Sequence, residues 1–154
     1  MNYLLKAIYW KVYDENFAYD NFDSRKKLQK AVYLLENMGV DIGDYSFVWD
    51  SYGPYSLGLD CEASQLDDKG AQEFTFSKFA EECFGRLRDI LSQNNKYSCV
   101  AWVECIASLH YLKNVLRFGQ DDIINELMKR KPYLSNKDAN YQAMEIVNTI
   151  RVGV

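Results

Sequence analysis

In Cys99-Val100-Ala101-Trp102-Val103-Glu104-Cys105-Ile106-Ala107-Ser108-Leu109-His110-Tyr111-Leu112-Lys113-Asn114-Val115-Leu116, apolar side chains recur at helical spacing without leaving a polar face. Trp102, Val103, Ile106, Leu109, Tyr111, Leu112, Val115 and Leu116 cover more than one side of the helix. A helix that is apolar on several sides belongs in the middle of its domain. The remaining segments therefore have to be read as elements arranged around it.

Upstream, Tyr45-Ser46-Phe47-Val48-Trp49 is aromatic and β-branched and predicts a short strand. Tyr52-Gly53-Pro54-Tyr55-Ser56 predicts a turn, because proline fixes one φ and glycine frees another. Glu73-Phe74-Thr75-Phe76 predicts a second strand, which would pair with the first around an inserted helix. That helix starts at Ser56 as a cap and reaches about Leu66, with Leu59, Ala63 and Leu66 on one face. Turns are predicted at Asp67-Asp68-Lys69-Gly70 and at Asn94-Asn95.

The other segments read as helices. Residues 2–14 have a broad apolar face. A helix capped by Asp23 or Ser24 carries Leu28, Ala31, Val32, Leu35 and Met38 at i, i+3, i+4, i+7 spacing and ends at Gly39. Ser77 caps a helix reaching about Gln93, Asp121 caps a short one with Ile123, Ile124 and Leu127, and a last one spans 137–150. The basic run Lys129-Arg130-Lys131 suits a helix C-terminus. The expected architecture is mostly α (α+β). It is a compact bundle of about six to seven helices with a small two-stranded β element, and residues 1–154 form a single globular domain.

The chain has 154 residues, 48% of them hydrophobic, which excludes intrinsic disorder. Its net charge of −4 argues against non-specific binding of nucleic acid, which needs a cationic face. Cys61, Cys83, Cys99 and Cys105 form no C-x-x-C pair and read as buried reduced thiols. Lys6 and Lys11 interrupt the apolar N-terminus, so it does not read as a signal peptide, and no apolar run is long enough for a membrane span. The expected location is cytoplasmic.

Little catalytic material is present. His110, the one histidine, reads as structural. The pairs Asp67-Asp68, Glu81-Glu82 and Asp121-Asp122 are adjacent in sequence, and neighbours on a helix point about 100° apart. No calcium loop and no phosphate-cradling glycine motif occurs, so neither a metal nor a cofactor is expected.

The charge pattern is informative. Residues 24–40 carry Arg25, Lys26, Lys27 and Lys30 against Glu36. Residues 41–70 carry Asp41, Asp44, Asp50, Asp60, Glu62, Asp67 and Asp68 against Lys69. That acidic block is either a solvated loop surface or a face that steers a basic partner. The aromatic residues beside it, Trp49, Tyr52 and Tyr55, either lock the turn to the core or anchor an interface. The candidate partner-binding set is Trp49, Asp50, Tyr52, Tyr55, Asp60 and Glu62.

Lys27-Leu28-Gln29-Lys30-Ala31-Val32-Tyr33-Leu34-Leu35 followed by Tyr52-Gly53-Pro54-Tyr55-Ser56 resembles the opening of the YwgA-like and SocA-like (Panacea) domains, which carry a K-L-Q-K helix and a Y-G-P turn. Ala107-Ser108-Leu109-His110-Tyr111-Leu112 and Lys129-Arg130-Lys131-Pro132 look like later landmarks of the YwgA-like branch. The resemblance covers roughly residues 24–135, and the last third departs from the SocA-like pattern. It implies a mostly helical fold and landmarks at Lys30, Tyr52, Gly53, Pro54, Tyr55 and His110. It also implies a binding module rather than an enzyme: an antitoxin-like protein, or an inhibitor carried by a mobile element in phage defence. The expected partner is then a protein from a toxin, nuclease or protease system. The alternatives are a nucleic-acid-binding regulator with a winged-helix-like strand pair and a basic helix start at 25–30, or an enzyme acting on a nucleotide or modified protein through His110 and a tyrosine.

Overall fold

The computed structural model describes residues 2–67, 73–93 and 96–151. Seven helices and one two-stranded sheet lie within them: α1 Tyr3–Tyr13, α2 Phe22–Asn37, β1 Val48–Asp50, β2 Gly53–Tyr55, α3 Leu57–Ala63, α4 Lys78–Ser92, α5 Cys99–Asn114, α6 Ile123–Arg130 and α7 Lys137–Val147. The protein is thus mostly α with a small β element. Every residue from Trp102 to Leu112 of α5 is buried, and α5 packs against α2, α4, α6, α7 and β2. A central α5 follows from its sequence, since a helix with no polar face has to be covered all round. One apolar cluster joins residues of all seven helices.

Local capping chemistry sets most helix starts. Ser56, Ser77 and Ser98 accept from Leu59, Ala80 and Ala101 N–H groups at 3.3, 3.1 and 3.2 Å. Gly39 follows α2 with φ of 106°, a conformation that glycine adopts without strain. Two starts differ from expectation. The cap of α2 is Asn21, whose side chain accepts from Ser24 N–H at 3.0 Å, so Asp23 and Ser24 already lie inside the helix. The cap of α6 is Asp122, not Asp121, and it makes no side-chain cap bond. Helix ends also differ: α5 stops at Asn114, leaving Val115 and Leu116 exposed, and α7 stops at Val147.

The β element is the main correction. Residues 73–76 form no strand, and Phe76 packs edge-on against Phe84 instead. The strand near Trp49 folds back on the very segment read as a turn, in a tight antiparallel hairpin pairing Val48 with Tyr55, Trp49 with Pro54 and Asp50 with Gly53. Among the described residues no strand pair around an inserted helix forms. Proline is tolerated because a two-stranded ribbon leaves it an outward edge where no N–H is required. The expected turns at 68–70 and 94–95 lie outside the described residues. Cys83 and Cys105 are buried as expected, but Cys61 and Cys99 are exposed. Among the described residues no helix is long and apolar enough to cross a membrane.

Candidate functional site: a cleft between the hairpin and the start of α2

The hairpin is held by long polar side chains rather than by a wide sheet. Gln29 on α2 makes a reciprocal pair with Ser56: its amide N–H donates to the Ser56 carbonyl and its oxygen accepts from the Ser56 N–H, both at 2.9 Å. The next residue, Lys30, donates to the Pro54 carbonyl at 2.8 Å. From the end of α6, Lys131 donates to the Ser51 carbonyl at 2.5 Å. These donors satisfy carbonyls in and beside the hairpin that its two short strands cannot pair on their own. The K-L-Q-K helix and the Y-G-P turn, distant in sequence, are therefore two halves of one clamp. Gly53 sits at φ of 94°, and a Cβ there would overlap the Ser108 hydroxyl of α5, so only glycine lets the hairpin approach this closely.

Behind the hairpin lies a buried charge cluster. Glu104 of α5 is 0% exposed, and its Oε2 takes Lys131 at 3.5 Å and the Tyr133 hydroxyl. Its Oε1 has Lys26 at 3.6 Å, beyond hydrogen-bond distance. One carboxylate thus serves Lys26 and Lys131, with Lys30 close enough to feel its charge. Burial pushes the Lys30 amine down to about 7, with Glu104 opposing and Lys131 and Lys26 reinforcing the shift. Burial lowers Lys131 as well.

The sign of the linkage is opposite to that of an ordinary salt-bridged lysine. Between about pH 7 and the unfolded value of 10.5, the unfolded chain holds a proton on Lys30 that the folded protein lacks. Stability therefore rises with pH through that window. Lys30→Met is expected to flatten this rise relative to the wild type, as measured by urea midpoints at pH 7.5 and 9.5. Equal slopes in the two proteins would show that Lys30 is charged when folded.

In front of the hairpin a cleft of about 200 Å³ opens. One wall is a single face of α2, formed by Phe22, Arg25, Lys26, Gln29 and Lys30, and the other is Asp50, Tyr52, Tyr55 and Asp60. Phe22 and Tyr52 are 46% and 37% exposed and meet edge-on, ring centres 5.1 Å apart. The Lys26 ammonium lies 4.3 Å from the Tyr52 ring centre, and the Arg25 guanidinium lies over Tyr19 and Phe22 at 5.1 and 5.4 Å. Asp60 accepts from the hydroxyls of Tyr19 at 3.2 Å and Tyr55 at 3.0 Å. The Tyr55 phenol is pushed up to about 12, by burial first and by Asp60 second.

Of the six residues expected to bind a partner, Asp50, Tyr52, Tyr55 and Asp60 line this cleft and Trp49 and Glu62 do not. Side chains alternate along a strand, so Trp49 points away from Asp50. It packs on Tyr111, ring centres 5.8 Å apart, with Lys131 and Arg130 over its ring. Glu62 accepts from the Tyr45 hydroxyl and from the Asn2 amide at 2.9 Å. Among the described residues of the block at 41–70, Asp50, Asp60 and Glu62 do not form one free acidic face. Asp60 and Glu62 are taken by phenols, and Asp50 faces the basic wall of α2.

His110 is 4% exposed, and its Nδ1 lies 2.7 Å from the Tyr33 hydroxyl. Burial first, then Lys113, pushes the imidazole down to about 4, so it is neutral and its Nδ1 shares one hydrogen bond with the Tyr33 hydroxyl. Among the described residues no group of three or more His, Cys, Asp or Glu side chains could hold a metal ion. Sequence reasoning missed Glu104, Lys131 and Phe22 as parts of the site. The available signal was Glu104 itself: a carboxylate inside the most apolar helix requires cations from elsewhere in the fold.

Compared with models of known families, with curated proteins and with solved structures, the chain matches none.

Proposed function

We propose that the chain is a non-enzymatic protein-binding module that neutralises or adapts a partner protein, in the manner of an antitoxin or a mobile-element inhibitor, and that it docks the partner at the cleft between α2 and the hairpin. One observation carries this reading. Two aromatic rings remain exposed over a rigidly clamped hairpin, beside charges of both signs that have room to pair with a partner. Rigid aromatic anchors in a polar surround are the usual make-up of a protein interface. The resemblance to SocA-like domains supports the same class. An enzyme acting through His110 is less well supported, because that imidazole is buried and engaged by Tyr33. Nucleic acid is less well supported because Asp50 and Asp60 share the cleft with the basic residues.

The test is capture of partners from the native host by the tagged protein at physiological salt, with mass spectrometry. The wild type is expected to recover a specific protein, and the Phe22→Ala/Tyr52→Ala double variant to lose it at an unchanged melting temperature. Recovery of no specific protein, or undiminished recovery by the double variant, overturns the reading.

A further inference from the structure

Among the described residues, two cations of the cleft, Arg25 and Lys26, have no anion hydrogen-bonded to them. Arg25, Lys26 and Lys30 project from one face of α2 into the cleft, and Lys131 lies behind them. Glu104 is the buried carboxylate among them, and its Oε2 is already occupied by Lys131 and Tyr133. Among the described residues no carboxylate lies within ion-pair distance of Arg25. The nearest to Lys26 is Glu104 at 3.6 Å, too far for a hydrogen bond. Lys30 donates to the Pro54 carbonyl and is left out of this charge balance, because burial brings its amine down to about 7. The carboxylates in the cleft do not resolve this. Asp60 has both oxygens bonded by the phenols of Tyr19 and Tyr55, and Asp50 is exposed and pairs with none of the cations.

We infer that the cleft receives a single side-chain carboxylate, flanked by neutral residues, from a partner protein, bound by Arg25 and Lys26 between the rings of Phe22 and Tyr52. The inference rests on the docking reading above and adds the chemistry of what docks. The Arg25 guanidinium is held over the Tyr19 and Phe22 rings, so it is positioned before the ligand arrives. Lys26 is held over Phe22 and Tyr52 in the same way. A volume of about 200 Å³ holds one side chain and its flanking backbone. A polyanion would bring successive phosphates against Asp50 and Asp60, whereas a single carboxylate flanked by neutral residues does not.

The test is a nuclear magnetic resonance titration of the full chain with capped pentapeptides. These are Ala-Ala-Glu-Ala-Ala, its central-glutamine counterpart and its central-phosphoserine counterpart, with an oligothymidylate of ten nucleotides alongside. The glutamate peptide is expected to shift resonances of Phe22, Arg25, Lys26 and Tyr52 and to bind at least tenfold tighter than the glutamine peptide. In Arg25→Gln/Lys26→Gln that preference is expected to vanish. Equal binding of the glutamate and glutamine peptides by the wild type, or shifts away from the cleft, overturns the inference without reliance on any variant. Phosphoserine or oligothymidylate binding more than tenfold tighter than glutamate overturns it in favour of a phosphate ligand. Partner capture separates the two levels of claim. If Phe22→Ala/Tyr52→Ala abolishes capture and Arg25→Gln/Lys26→Gln does not, the docking reading stands and the carboxylate inference falls.

Discussion

Glu104→Ala is expected to destabilise the protein by about 3–5 kcal/mol near pH 6, the usual cost of removing one member of a buried charge network. Glu104 is the buried anion facing Lys26 and Lys131, and it raises the proton affinity of Lys30. Without it the cations keep their desolvation cost and lose the compensating charge. The loss is expected to shrink between pH 6 and pH 9, because Lys30 already sits near 7 with Glu104 in place and would shed its proton more readily without it. The unfolded chain would keep that proton, so stability of the variant rises more steeply with pH than that of the wild type. Urea unfolding of both proteins at the two pH values measures this directly. A loss below about 1 kcal/mol at pH 6, or one that does not change with pH, would show that the lysines do not depend on Glu104. The hairpin should be affected first, since Lys131 reaches both Glu104 and the Ser51 carbonyl.

Trp102→Ala is expected to cost about 3–5 kcal/mol through the cavity it leaves. The indole is 0% exposed on the central helix, and its N–H donates to the Ile90 carbonyl at 3.1 Å, near the C-terminal end of α4. The variant loses packing and also one of the two hydrogen bonds to the Ile90 carbonyl, the other coming from the Gln93 N–H. Trp102→Phe keeps most of the apolar volume and is expected to lose clearly less. Thermal or urea unfolding of the two variants distinguishes the contributions, and a loss below about 1 kcal/mol for alanine would remove α5 from the centre of the core.

The two substitutions test different levels of the design. Trp102 reports on the apolar packing that any helix like α5 would demand. Glu104 reports on a polar device that fastens one small hairpin to that packing, and so presents Tyr52, Tyr55 and Asp50 at a fixed angle to α2. A hairpin of two three-residue strands is not stable by itself. Gln29, Lys30 and Lys131 hold it in place, and the proposed docking at the cleft depends on that preorganisation.

The sequence by itself determined the helices and the centre of the core. Helical periodicity and capping are local properties, carried by residues three or four apart, so α2 with Leu28, Ala31, Val32 and Leu35, the caps Ser56 and Ser77, and the all-apolar α5 were readable before any contact was known. The partner of the strand at Trp49 was decided only by the tertiary structure. Two apolar segments, 53–55 and 73–76, were available to it, and the choice rests on clamps from α2 and α6 that lie far away in sequence. The site was decided at the same level. Lys26 and Lys30 share a face of α2, but no spacing links them to Glu104 or Lys131, and burial alone turns the four into one electrostatic unit. A carboxylate in the middle of an apolar helix announces that cations must come to it, but which ones, and what they hold in place, depends on how the chain closes around α5.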